Sequence, residues 1–88
     1  MVSETVTVVN KMGFHMRPAS VFAQAMAPFQ SELTIRYNGS DYNGKSVMNL
    51  MAACMKQGAV LELQCSGPDE EKMLQSAVAL IQSGLGEE

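Results

Sequence analysis

The sequence predicts an α+β two-layer fold: a four-stranded, mainly antiparallel sheet with three helices on one face, in the order β α β β α β α. Three observations predict it. Segments whose apolar residues alternate with period two are interleaved with segments of helical period. The turns between them are short, with no internal repeat and nothing that reads as a linker. Each strand offers one apolar face, and three amphipathic helices need an apolar surface to cover, so the simplest packing places every helix on the same side.

Taken in order, residues 3–9, SETVTVV, alternate and are rich in Val and Thr, as a strand is. NKMG turns the chain. From Met16 the period changes: Ala19, Phe22, Ala23 and Met26 follow helical spacing, Phe29 lies one turn on, and Pro28 limits the helix. ELTIRY, residues 32–37, sets Leu33, Ile35 and Tyr37 on one face and Thr34 and Arg36 on the other. The first of two Asn-Gly pairs reads as a hairpin turn, so a short strand should return over residues 40–43. SVMNLMAACM, residues 46–55, is apolar at helical spacing, and AVLELQCS, residues 59–66, alternates with Leu61, Leu63 and Cys65 together. Pro68 and Asp69 open the last helix, acids fill its first turn, and Gly84 can close it. Met73, Ala77, Leu80 and Ile81 form its expected buried stripe, with Leu74 and Val78 at the edge.

The 88 residues, 47% hydrophobic and 17% charged, fit one folded domain over residues 1–88. No apolar run reaches the length of a membrane span and no signal peptide is evident, which together predict a cytoplasmic protein with no membrane insertion. A net charge of −3 argues against direct nucleic-acid binding. The charge is uneven: beyond residue 57, Lys72 alone stands against Glu62, Asp69, Glu70, Glu71, Glu87 and Glu88, leaving the first part mildly positive. Cys54 and Cys65 sit in apolar stretches with no Cys/His cluster, so they read as reduced, semi-buried packing residues, and no metal site is expected. No cofactor is indicated.

His15 is the only histidine, within GFHMRPAS. Pro18 is best tolerated in a helix's first turn, which places His15 near the N-cap. The amides of Met16 and Arg17 then lack intrahelical acceptors, and the positive end of the helix dipole lies behind them. Such an end binds phosphate, Arg17 adds a planar fork suited to phosphate oxygens, and Gly13 allows a tight turn before the histidine. A histidine there can attack phosphorus, with Met16 and Arg17 holding the group it acquires. Nothing nearby resembles a general base or a substrate pocket, which suggests a carrier of phosphoryl groups more than a stand-alone enzyme. The plain alternative is a histidine that only caps the helix, although His is not a favoured N-cap.

The stretch NKMGFHMRPAS resembles the active-site signature of the HPr family, histidine-containing phosphocarriers of the bacterial phosphoenolpyruvate-dependent sugar phosphotransferase system. The resemblance spans the chain, through NGKSVMNLM, GPDEEKML and the closing GLGE. It implies an open-faced β-sandwich and a monomer. It implies that His15 takes a phosphoryl group on Nδ1 from phosphorylated enzyme I, assisted by Arg17, and passes it to a histidine on a sugar-specific IIA domain. Lys45-Ser46 resembles the Gram-positive regulatory site, where HPr kinase/phosphorylase modifies the serine and the product acts with a catabolite control protein. An HPr-like regulator working mainly through phosphorylated Ser46 is the alternative; such paralogues lack the histidine.

Ser46 also reads as the N-cap of the helix beginning at Val47, where a phosphate would favour the helix and add negative charge. Met48, Met51 and Met55 fall at i, i+3 and i+7. The resemblance implies a docking surface of Met16, Ser20, Val47, Met48 and Met51, with Leu50 buried and Met48 exposed; methionines suit a surface that accepts unlike partners. Against the usual family pattern, Met12, Phe14 and Met16 widen the apolar rim around His15. Gln24, Ala27 and Asn49 lack the common lysines, and Cys54 stands where glycine is common. Position 54 either strains a cysteine at positive φ or lets the helix run on.

Overall fold

Strand alternation decides the architecture. In the computed structural model, which describes residues 1–86, β1 (Val2–Thr7), β2 (Glu32–Tyr37), β3 (Ser40–Asn43) and β4 (Val60–Ser66) form one sheet in the order β1-β4-β2-β3, each neighbouring pair antiparallel. The helices are α1 (Met16–Met26), α2 (Val47–Ala52) and α3 (Glu70–Gln82). The register sets Val6 opposite Leu61, Ile35 opposite Leu63 and Leu33 opposite Cys65, and all six side chains are buried under the helices. Full burial of one such aliphatic side chain contributes about 1.5–3 kcal/mol. The other face carries Thr5 opposite Glu62, Thr34 opposite Gln64 and Arg36 opposite Asp41. It is polar and uncovered, so the sandwich is open, with three helices on the apolar side only.

The hairpin turn is as its sequence demands. Asn38 and Gly39 have φ of 53° and 80°, the paired positive values of a type I′ turn. The last helix ends as Gly84 promised. Gly84 takes φ 92°, its amide donates to the Ile81 carbonyl at 3.2 Å, and the Leu85 amide donates to Leu80 at 2.9 Å, a Schellman closure that buries Leu85.

Several boundaries differ from the sequence expectation. β1 ends at Thr7, short of residue 9, because its partner β4 begins only at Val60. Val8 stays buried, bonded to Ala59 and Gly58 across the ends of the ladder. The stretch 46–55 is helical only to Ala52. Cys54 adopts φ 55°, its amide donating to Met51, and this left-handed residue turns the chain out of the helix. Met55 is therefore a buried loop residue and not a third methionine on the α2 face. Cys54 is exposed, against the expectation of a semi-buried packing residue, whereas Cys65 is buried as expected. On α3 the stripe is shifted: Leu74 is buried and Leu80 half-buried at the margin.

One clamp joins distant segments. Asp69 is the N-cap of α3, yet its carboxylate does not cap its own helix. It accepts from the amides of Gln30 (3.0 Å) and Ser31 (2.9 Å) and from the Ser31 hydroxyl (2.5 Å), while its own amide donates to that hydroxyl at 3.1 Å. The Ser31 hydroxyl first, then the Gln30 amide, hold the Asp69 carboxyl below the usual carboxylate range. α3 is thereby fixed to the start of β2.

Candidate functional site

Everything local to His15 is held from behind. Gly13 has φ 64°, its amide donates to the Asn10 carbonyl (3.2 Å), and its carbonyl accepts from Asn10 Nδ2 (2.9 Å). The Phe14 amide donates to the Met55 carbonyl at 2.8 Å, tying this turn to the loop after α2. The approach is close: a Cβ on Gly13 would stand 2.1 Å from the Met55 carbonyl oxygen and 2.6 Å from Lys56 Cα. Phe14, expected in the apolar rim, is instead core. It is 3% exposed and meets Phe22 edge-on, ring centroids 5.4 Å apart at 86°. Pro18 and Ala19 are buried on the following turn. His15 is thus bracketed by anchored neighbours while itself half-buried.

His15 is the N-cap of α1, with extended backbone (φ −79°, ψ −172°) and its carbonyl accepting from the Ala19 amide at 2.9 Å. Its side chain makes no capping bond to its own helix. Met16 and Arg17 are the first two helical residues and Pro18 the third. Helix geometry leaves the first two amides without intrahelical acceptors, and proline has none to offer. Two outward N–H groups and the positive end of the dipole of an 11-residue helix lie beside the imidazole, and Arg17, two residues on, is exposed. The arrangement can hold a dianionic group next to a ring nitrogen. The acidic start of α3 is fixed to Ser31, beyond the far end of α1, which at 1.5 Å per residue stands about 16 Å away.

α2 lies beside α1, and Ser46 caps it. The Ser46 hydroxyl accepts from the Asn49 amide and from Asn49 Nδ2, both at 3.2 Å. Asn49 also accepts from the Asn43 amide, and Lys45 Nζ donates to the Phe29 carbonyl at 2.6 Å, which steadies the approach to the cap. Of the docking residues named from the sequence, Met48 is 81% exposed, Met16 65% and Met51 39%, with Leu50 fully buried. Ser20 and Val47 are half-buried, Val47 resting against the core.

The sequence reading set Met12 in the rim around His15 but did not gather Cys54, Met55 and Lys56 there. They come from the segment after α2, joined to the histidine loop by the Phe14–Met55 bond, and no local spacing relates them to it. Among the described residues, no group of three His, Cys, Asp or Glu side chains could hold a metal ion, and no helix is long and apolar enough to cross a membrane.

Comparison with known proteins supplies an independent line. The family described as the PTS HPr component phosphorylation site matches residues 2–83. A phosphocarrier protein HPr of Neisseria meningitidis is 36% identical over 87 residues, covering 99% of this chain and 98% of the relative. The phosphocarrier protein NPr of Escherichia coli is 34% identical over 88 residues, with 99% and 98% covered. In three dimensions the chain is similar to HPr-C-His from Thermoanaerobacter tengcongensis, with a TM-score of 0.95, 38% identity, and 100% and 99% of the two chains covered.

Proposed function

Because the chain belongs to the HPr family of phosphocarriers of the phosphotransferase system, we propose that His15 is the residue on which it carries the phosphoryl group. His15 Nδ1 attacks the phosphorus of a phosphohistidine on enzyme I. The bond from the donor nitrogen to phosphorus breaks as the new N–P bond forms, and the same exchange repeated with a IIA histidine discharges the carrier toward sugar uptake. The Met16 and Arg17 amides and the Arg17 guanidinium receive the oxygens of the group in transit. One observation carries this reading: the half-buried imidazole stands at the N-cap of α1, where the first two amides of the helix face outward and Arg17 is exposed.

Incubation with enzyme I and labelled phosphoenolpyruvate tests it. Acid-labile label should appear on the protein and be absent from His15→Ala, whose fold should persist because a rim residue contributes little packing. Label retained by His15→Ala would overturn the assignment.

The finer reading includes Ser46. A phosphate there would lie at the N-terminus of α2, beside exposed Met48, and would change the docking face from apolar to anionic. Its enzyme would be an HPr kinase/phosphorylase and its reader a catabolite control protein. The unit of function is residues 1–88 as one domain, monomeric and cytoplasmic.

A further inference from the structure

Among the described residues, Ser31 and Asn10 are the buried polar side chains. The clamp on Asp69 accounts for Ser31. Asn10, 7% exposed, opens the turn that leads to the histidine. That turn closes through backbone alone, the Gly13 amide donating to the Asn10 carbonyl at 3.2 Å, a contact that needs no side chain at position 10. The side chain adds to it a bond from Nδ2 to the Gly13 carbonyl at 2.9 Å. Burying an amide is unfavourable unless hydrogen bonds offset the lost water, so this bond asks for a reason beyond the turn.

We infer that Asn10 is a positioning residue for phosphoryl transfer: its amide pins the peptide unit between Gly13 and Phe14 and thereby holds His15 where it meets phosphorus. The inference rests on the phosphocarrier reading. That peptide unit is held at both ends. Its carbonyl, from Gly13, accepts from Asn10 Nδ2, and its amide, from Phe14, donates to the Met55 carbonyl at 2.8 Å. A unit bonded at one end can pivot about that bond; a unit bonded at both ends cannot turn over without breaking one of them. The restraint matters because Gly13 lacks the Cβ that narrows the choices of other residues. Glycine populates φ of either sign about equally, and the 64° found here is one of several values open to it. His15 lies one residue beyond the pinned unit, so a rotation there carries the imidazole with it, and misplacement by about an ångström can cost about a hundredfold in rate. The residue type fits the task. Asn and Asp both favour the first position of a turn, but an ionised Asp has no N–H to give and would set oxygen against the Gly13 oxygen.

Asn10→Asp and Asn10→Ala test this. The first keeps the shape and the turn but loses the donor; the second loses the donor without adding charge. At a temperature where both remain folded, each should lower kcat for phosphorylation by enzyme I at least about tenfold. KM should stay within about twofold of the parent's, because no docking residue is altered. Hydrogen exchange locates the cause. The Phe14 amide should exchange at least about tenfold faster in each variant, while the Val8 amide, bonded to the Ala59 carbonyl at 2.9 Å, should keep the parent's rate. Exchange quickened equally at Phe14 and Val8 would trace lost activity to a general loosening of the fold and overturn the inference. So would kcat at the parent's value, or a raised KM with kcat unchanged. If Asn10→Ala melts below the assay temperature, Asn10→Asp decides by the same criteria. All these outcomes leave the carrier reading standing; that reading falls, and takes the inference with it, if the parent protein accepts no phosphoryl group from enzyme I.

Discussion

Gly13→Ala is the change that most directly probes why the site is built as it is. Two costs add. The left-handed φ of 64° costs an L-residue with a Cβ about 1–2 kcal/mol. The new methyl would also overlap the Met55 carbonyl oxygen and Lys56 Cα, both backbone, so no side-chain rotation relieves it. The loops must part, and the 2.8 Å bond from the Phe14 amide to Met55 is lost or stretched; leaving such a group unsatisfied costs about 1–3 kcal/mol. The sum, about 2–5 kcal/mol, is a large share of the roughly 5–15 kcal/mol that holds a domain folded.

Gly39→Ala isolates the first cost. Gly39 has φ 80° but nothing within 4 Å of its added Cβ, so only the backbone term applies. Thermal melting of the two variants should therefore differ. At about 4–8 °C per kcal/mol for a domain of this size, Gly13→Ala should melt at least about 4 °C below Gly39→Ala. Urea titration should show a lower midpoint with an unchanged slope. At a temperature where both remain folded, phosphorylation by enzyme I should be impaired in Gly13→Ala only, because that loop positions His15. Equal melting of the two variants would refute the claim that close backbone approach, and not φ alone, demands glycine at 13.

The other predictions follow from single contacts. Ser31→Ala removes a 1%-exposed hydroxyl that both donates to and accepts from Asp69, and should cost about 1–2 kcal/mol at neutral pH. Because the Asp69 carboxyl is held below its usual value in the fold, its contribution is present above about pH 4 and is lost as pH falls through the lowered value; the melting difference between Ser31→Ala and the parent should narrow in acid. Arg17→Lys keeps the charge and loses the planar fork, and should slow transfer about tenfold, or roughly 1.4 kcal/mol of barrier; steady-state rates equal to the parent's would show the fork to be dispensable. Ser46→Asp and Met48→Ala should each weaken enzyme I binding, the first by about 1–2 kcal/mol and with strong salt dependence, the second with little; calorimetry at two ionic strengths separates them.

How much of this could be read from the sequence depended on how local each cause is. Leu33, Ile35, Leu61, Leu63 and Cys65 alternate, and the strands formed where they alternate. Asn38-Gly39 and Gly84 have strong backbone preferences of their own and are found in the conformations those preferences favour. The helix mouth at His15 was legible because glycine before it and proline after it act within one turn. The end of α2 was not, since a cysteine has no preference for φ 55° and is held there by the loop that follows. Phe14 could not be told from a rim residue without Phe22, eight positions on and packed against it. Asp69 reads as a helix start, yet its partners lie 38 and 39 residues away. The gathering of Cys54, Met55 and Lys56 beside His15 is illegible for the same reason: their segment and the histidine loop are joined by the backbone hydrogen bond from Phe14 to Met55.

That join also explains how the site meets two demands at once. A protein-to-protein carrier must present its nucleophile to other surfaces while keeping it still, because misplacement by about an ångström costs transfer rate steeply. Here the stillness is supplied from below, by Gly13 against Met55, by Phe14 against Phe22, and by Pro18 and Ala19 in the core. On the carrier reading, the presenting surface is supplied by residues with little shape of their own. Met12, Met16, Met48 and Met51 have flexible, polarizable side chains that can repack against unlike partners without disturbing the backbone under His15. On the carrier reading, with Gln24, Ala27 and Asn49 uncharged, long-range steering toward a partner is modest and affinity comes from apolar contact made after encounter. A surface of that kind discriminates by dissociation rate, so the partners that pack best against these methionines are the ones that stay bound long enough for phosphorus to change hands.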